Sequence, residues 1–241
     1  VGDDARARFD LLKMPEFKFT EAEVPNYERR DPPPKFQHPL SAEESMKTIQ
    51  VPAGFDLSLF ASDPQITNVS ALSWDERGRC WVAETRDYPN NLKPEAGEGE
   101  DAIKILEDTD GDGRCDKVTV FADKLSIPTS MVFARGGIIV TQAPHTLFLK
   151  DTDGDDVADV REIMFSGWGT GDTHAGPSSL HYGFDNWIYG SVGYSGFRGE
   201  VGGERHGFSN GFYRFKPDGS KMEFLAKSSN NTWGLGISET G

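Results

Sequence analysis

Several things are scarce in this sequence, and each scarcity narrows its reading. Two cysteines, Cys80 and Cys115, stand in 241 residues. They could pair in an oxidising compartment or remain two separate thiols, and no CxxCH haem-attachment motif accompanies them. Basic charge is short, with 25 Lys and Arg against 39 Asp and Glu, a formal net charge of −14. No basic field exists to meet phosphates, which argues against a nucleic-acid partner. No apolar run approaches the length of a membrane span, so none is expected in this chain. Paired acids and a nucleophile motif are also missing, which weakens a hydrolase or lyase reading. A signal peptide is missing too, and the chain opens on Val1. That reads as a mature product or an excised piece, and leaves a periplasmic or secreted location open.

What is present fits a β-rich globular protein with a sizeable core: Gly 27, Pro 14 and 11% aromatics. Residues 1–50 differ from the rest. Pro15, Pro25, Pro32, Pro33, Pro34 and Pro39 interrupt a charged segment, which predicts an extended arm with a short helix near Arg6–Leu12. Phe9, Phe17, Phe19, Tyr27 and Phe36 are its candidate anchors. Ser41 followed by Glu44 is a capping box, predicting a turn or two of helix over 41–50.

From Val51 onward the pattern is short strands between turn signals. After FDLSLFA (55–61), strands are predicted at 71–75, 79–85, 102–108 and 117–123, then at 130–134, 137–143, 146–151 and 160–165. A third set covers 178–184, 186–193, 211–217 and 221–227, and GLGIS (234–238) begins a fourth. Each first strand ends in a Gly- or Asp-containing turn, including one at Glu239–Gly241. The fold class expected is therefore all-β: a β-propeller of four-stranded antiparallel blades over 51–241, forming an incomplete ring. The blades fall at about 66–125, 126–168 and 175–228, with the next starting at 230. Such a piece should expose apolar surface at its C-terminal edge, with remaining blades beyond Gly241 as partners. A β-sandwich is the alternative.

One phrase occurs twice. Asp108-Thr-Asp-Gly-Asp-Gly-Arg-Cys-Asp116 and Asp151-Thr-Asp-Gly-Asp-Asp-Val-Ala-Asp159 begin 43 residues apart, and both join a third strand to a fourth. Carboxylates at positions 1, 3, 5 and 9 (Asp108, Asp110, Asp112 and Asp116; Asp151, Asp153, Asp155 and Asp159) converge hard oxygens as Ca²⁺ requires, and Glu162 sits where a bidentate ligand could close the second loop. Without a cation these carboxylates repel one another, so two structural Ca²⁺ sites are expected. A polar hairpin with incidental acids is the alternative. Pro217-Asp218-Gly219 is the third copy without the ligand set.

Chemistry is expected elsewhere, at loops around the channel mouth. Gly171-Asp172-Thr173-His174-Ala175-Gly176-Pro177 offers His174 as a general base with Asp172 to orient it. Glu84-Thr-Arg86-Asp87-Tyr88-Pro89 offers Arg86, Asp87 and Tyr88 for binding, or a solvated loop. Arg205 and His206 lie in a long insertion that could reach over the channel or remain a surface loop. Trp74, Trp81, Trp187 and Trp233 read as core.

The stretches LSAEESMKTIQVPAGFDLSLFASDP, WDERGRCWVAETRDYP, IKILEDTDGDGRCDKVTVFADKLSIPTS and THAGPSSLHYGFDNWIYGSVGYSGF closely resemble a bacterial family of membrane-bound dehydrogenase domains. The resemblance covers roughly residues 14–241. It implies an N-terminal propeller followed in longer members by helical repeats and a c-type haem domain, neither in this chain. More distantly, His174 with Leu180, Gly183, Asp185, Ile188, Tyr189 and Gly193 is similar to a stretch of the soluble quinoprotein glucose dehydrogenases. There the His accepts the substrate hydroxyl proton as hydride passes to pyrroloquinoline quinone, a role that falls on His174. The family's Arg-Asn-Pro-x-Gly-Leu segment corresponds to Asn230–Leu235, keeping Asn231 but replacing the Arg by Asn230 and the Pro by Thr232. That exchange removes a partner for a carboxylated quinone. The resemblance thus implies a sugar or alcohol oxidoreductase passing electrons to a quinone or haem, and the alternative is a non-catalytic propeller that binds carbohydrate or protein.

Overall fold

The structure is a computed structural model that describes residues 39–93, 95 and 97–238. The expected proline-rich arm, with its helix and aromatic anchors before Pro39, lies outside the described residues, as does the turn at 239–241. A single α-helical turn, α1 (Ala42–Met46), stands where the Ser41 capping signal puts it, with Glu43 and Glu44 in its first turn.

Three four-stranded antiparallel sheets follow. Sheet one is β1 (Val69–Trp74), β2 (Cys80–Glu84), β3 (Asp101–Glu107) and β4 (Lys117–Leu125), and sheet two is β5 (Ser130–Ala134), β6 (Gly137–Gln142), β7 (His145–Lys150) and β8 (Val160–Ser166). Sheet three takes β9 (Pro177–Tyr182), β10 (Ile188–Val192), β13 (Gly211–Phe215) and β14 (Met222–Lys227). A two-stranded hairpin, β11 (Phe197–Val201) and β12 (Glu204–Phe208), is inserted between β10 and β13. The first strands lie side by side, β1 against β5 and β5 against β9. Side-chain hydroxyls tie them: Ser70 Oγ donates to Pro128 O at 2.6 Å, and Leu180 N–H to Ser130 Oγ at 2.8 Å. This is the architecture of an incomplete propeller.

The strand patterns explain the stacking order. β6 and β7 are buried on both faces, so GIIVTQ reads as a near-continuous apolar run rather than an alternation. Ile138, Val140, Leu147 and Leu149 pack toward sheet one, on Trp81, Ile103, Ile105 and Phe121. Ile139 and Phe148 point the other way, on Ile188, Tyr213 and Phe215 of sheet three. Each fully buried Ile or Leu contributes about 1.5–3 kcal/mol relative to exposure. The outer face of sheet one is covered in part, by Phe60, Ala61 and Ile66 over Cys80, Val82 and Leu106. Apolar surface is left at the C-terminal edge, where Phe184 is 84% exposed and shares a groove with Leu225, and also on sheet one, where Leu72 and Trp74 are exposed.

Four expectations need correction. FDLSLFA is not a strand: Cys115 N–H donates to Phe60 O at 2.8 Å, but one bond is no ladder, and Phe55 is exposed. Phe60 and Ala61 pack instead on the cluster containing Cys80, Val82, Leu106 and Cys115. GLGIS is likewise not a strand, and Leu235 and Ile237 line a groove with Phe184, Phe212 and Leu225. The insertion carrying Arg205 and His206 does not cross the channel mouth. Its Gly202-Gly203 turn has φ of 61° and 82°, and its body wedges beside sheets two and three, with Trp168 and Phe197 rings 4.7 Å apart. A Cβ on Gly202 would meet Ser220 O at 1.9 Å, so the tip touches the β13–β14 turn. Lastly, Trp74 and Trp233 are not core, whereas Trp81 and Trp187 are. Both cysteines are buried free thiols, pushed up by that burial.

Candidate functional site

Antiparallel meandering sorts the loops onto two ends of the sheets. The β1–β2, β3–β4, β5–β6, β7–β8 and β13–β14 turns share one end, and the β2–β3, β4–β5, β6–β7 and β8–β9 connections share the other. Both Asp loops therefore lie at the end away from His174.

The two Asp loops fold alike. Asp108 accepts the N–H groups of Gly111 at 2.7 Å and Gly113 at 2.8 Å, and Asp151 those of Gly154 at 2.7 Å and Asp156 at 2.9 Å. These donors hold both carboxyls below their ordinary value. At the sixth position Gly113 has φ of 86° and Asp156 of 65°, so loop two keeps the left-handed turn without a glycine. The Asp156 side chain instead pairs with Arg79 Nη1 at 2.8 Å, joining sheets one and two; Arg79 also holds Asp75 at 2.8 Å. Candidate ligand oxygens of Asp108, Asp110 and Asp112 lie within 4.8 Å of one another, as do those of Asp151, Asp153 and Asp159. Asp116, Asp155 and Glu162 are not in these groups. Asp116 accepts from Thr109 Oγ1 at 2.7 Å, Asp155 from Val157 N–H at 2.9 Å, and Glu162 is an exposed residue of β8 opposite Phe148. Repulsion from Asp155 and then Asp159 pushes the Asp153 carboxyl up, which is the strain a cation would relieve.

At the other end, four segments converge on His174. A 3₁₀ turn over Thr173–Ala175 is capped by Asp172, whose Oδ1 accepts His174 N–H at 2.8 Å and lies 3.0 Å from His174 Nδ1. In a neutral imidazole an Nδ1–H donating to Oδ1 would leave Nε2 with its lone pair. The Tyr194 hydroxyl donates to Asp172 Oδ2, and Ser195 Oγ donates to Asp172 O at 2.7 Å. The Tyr194 bond, with His174 N–H next, holds the Asp172 carboxyl below its ordinary value. Tyr88 packs edge-on to the imidazole at 5.1 Å, and Thr173 Oγ1 donates to Pro89 O at 2.8 Å. From the fourth segment, Trp233 Nε1 donates to His174 O at 2.7 Å and to Asn231 Oδ1 at 3.1 Å. An open cleft of about 590 Å³ runs beside them, lined by Pro89, Asn90, Leu92, Thr170, Gly171, Asp172, Thr173 and His174.

His174, Asp172, Tyr88 and Asn231 are thus brought together. Arg86 is exposed and forms no ion pair among the described residues. Asp87 is not a lining residue: it is 1% exposed and braces its own loop, accepting Asn91 Nδ2 at 3.0 Å and Glu100 N–H at 3.2 Å. Arg205 and His206 lie in the hairpin, and neither forms a hydrogen bond or ion pair with the His174 group. Three residues escape the motif reading. Tyr194 and Trp233 complete the His174 surroundings, and Asp101, 1% exposed, braces the loop that leads to Tyr88. Asp101 accepts from Thr85 Oγ1 at 2.9 Å, Asp87 N–H at 3.0 Å, Ile127 N–H at 2.5 Å, and also Arg86 N–H. Its sequence signal is faint, an acid closing GEGED at the start of a strand.

A family model described as "Domain of unknown function (DUF7133)" matches residues 41–241. No curated protein matches the chain. Among solved structures, the calcium structure of Trichoderma reesei Carbohydrate-Active Enzymes Family AA12 aligns over 57% of this chain and 32% of its own, at 13% identity and a TM-score of 0.39. The holo form of the pyranose dehydrogenase PQQ domain from Coprinopsis cinerea aligns over 64% of this chain and 34% of its own, at 16% identity and a TM-score of 0.42. The chain thus spans about a third of the length of each. Likenesses this shallow carry no inference about activity.

Proposed function

The chain belongs to the family described as domain of unknown function (DUF7133), and for it we propose an oxidoreductase-type propeller whose His174 takes the hydroxyl proton of a sugar or alcohol. The observation that carries this reading is the Asp172–His174 pair, 3.0 Å apart and lining an open cleft, with Tyr88 edge-on to the imidazole. Asp172 keeps the proton on Nδ1, so Nε2 is free to accept one, and the cleft admits a small polyol. Hydroxyls would find Asp172, Thr173 and Asn90, and the exposed rings of Tyr88 and Trp233 offer apolar faces to sugar C–H groups.

The residues lining the cleft hold one carboxylate and no Lys or Arg. They do not fit the carboxylates of pyrroloquinoline quinone, and Asn231 is engaged by Trp233. The proposal therefore ends, within this chain, at proton abstraction by His174. The electron acceptor, a quinone or c-type haem, belongs to partner domains, and the location is periplasmic or secreted. Among the described residues no helix is long and apolar enough to cross a membrane. The test is reduction of a soluble dye acceptor by the longer protein over a panel of sugars and alcohols, with calorimetry of the same panel. Binding without any reduction would move the protein to the second reading, a carbohydrate-binding scaffold, which the half-exposed Tyr88 and Trp233 favour.

The Asp loops do fit a hard cation, since three carboxylates in each lie within 4.8 Å. As part of the proposal they bind two structural Ca²⁺ ions. A chelator is expected to lower Tm by several degrees and added Ca²⁺ to restore it, as mass action on a native-state ligand requires. An unmoved Tm removes the metal from the account.

A further inference from the structure

The pair at the cleft has a third member. We infer that Tyr194 is a positioning residue: its phenolic hydroxyl holds the Asp172 carboxylate in the orientation that lets the other oxygen fix the Nδ1–H tautomer of His174. The inference rests on the reading of His174 as a proton acceptor, but it concerns a state of the imidazole that exists without any substrate.

A carboxylate two residues before a histidine can rotate about its own side-chain torsions, and a freely rotating one would leave the imidazole undirected. Here both oxygens are engaged. Oδ1 faces His174 N–H at 2.8 Å and Nδ1 at 3.0 Å, while Oδ2 takes the Tyr194 hydroxyl. Tyr194 comes from the segment after β10, so its hydroxyl also ties two connections of one end together. Among the described residues no Lys or Arg pairs with Asp172, and the side-chain partners of its carboxylate are the imidazole and the phenol. The same bond pushes the Tyr194 hydroxyl up, so it remains a donor across the neutral range. Ser195 donates to the backbone carbonyl of Asp172 instead, at 2.7 Å, which separates fixing the chain from fixing the carboxylate.

Substitution distinguishes those two functions. In the wild-type chain, ¹⁵N spectra of the neutral His174 ring are expected to show one tautomer, protonated on Nδ1. Tyr194→Phe keeps the ring and removes the hydroxyl, and is expected to give a mixture in which the Nε2–H form rises severalfold, with the Asp172 carboxylate ionising at higher pH. Ser195→Ala removes the backbone tie and is expected to leave the tautomer unchanged. A Tyr194→Phe spectrum matching wild type overturns the inference, and so does an equal change in Ser195→Ala. Unchanged melting of both variants confirms that a folded chain is being compared. Failure of the proton-acceptor reading shows separately, as no loss of turnover in His174→Ala with the Tyr194 effect on the tautomer intact.

Discussion

Asp101→Ala is expected to destabilise the chain by at least ~3 kcal/mol, a fall in Tm of about 6–12 °C for a domain of this size. The size follows from what the carboxylate satisfies. Three backbone N–H groups, those of Arg86, Asp87 and Ile127, donate to it, together with Thr85 Oγ1. Asp101 itself is 1% exposed, so few of these donors gain water when it goes. Ile127 adds to the cost. It has φ of 50°, a left-handed conformation that a β-branched residue adopts only under constraint, and its N–H is held by Asp101 at 2.5 Å. Asp101→Asn keeps one acceptor oxygen and should lose about half as much. Chemical denaturation of the two variants measures this, and equal stability of Asp101→Ala and wild type would refute the bracing role. Because the same loop carries Tyr88 and Pro89 to Thr173 and His174, ligand binding should weaken with it.

His174→Ala should lower turnover of whichever substrate the panel identifies by about 10²–10⁴-fold, the range for loss of a positioned general base. On the proposed reading the effect belongs in kcat, with KM changed little, since the imidazole would act on a proton in flight while other cleft residues such as Thr173 and Asn90 would hold the ligand. Asp172→Asn keeps the shape but presents an amide where Nδ1–H needs an acceptor, so it should follow His174→Ala in direction. Steady-state kinetics with the dye acceptor decide, and wild-type kcat in His174→Ala would end the base assignment.

Much of the fold was legible because its signals are local. Turn residues at 75–78, 135–137 and 217–219, and the repeated Asp loops, mark strand ends wherever the chain is read. The apolar runs between them supply the strands, and the capping box supplies α1. The hairpin β11–β12 escaped because FRGEV and ERHGF hold few apolar residues, and only the Gly202-Gly203 turn signals pairing. FDLSLFA alternates as a strand should, yet pairing also requires a neighbour along its length, which no local pattern reports. The site divides in the same way. Asp172 and His174 are two residues apart in sequence, so their contact could be anticipated. Tyr194 and Trp233 reach them from 20 residues and more downstream, by way of the sheet that sets those connections side by side. Asp87 looked like a binding acid because it sits among polar residues, and only the folded loop turns it inward.

The burial of β6 and β7 on both faces has a mechanical consequence. Sheets one and three have no common core cluster, and each is packed against sheet two. In their apolar cores the three sheets thus form a short row of coupled units in which the end members meet only the middle one. Loosening of the sheet-one core reaches the core of sheet three only to the extent that β6 and β7 yield, so either end can fray while the centre stays closed. Amide hydrogens along Ile138–Val140 and Leu147–Leu149 should be the last to exchange with solvent, and their rate then reports opening of the whole row.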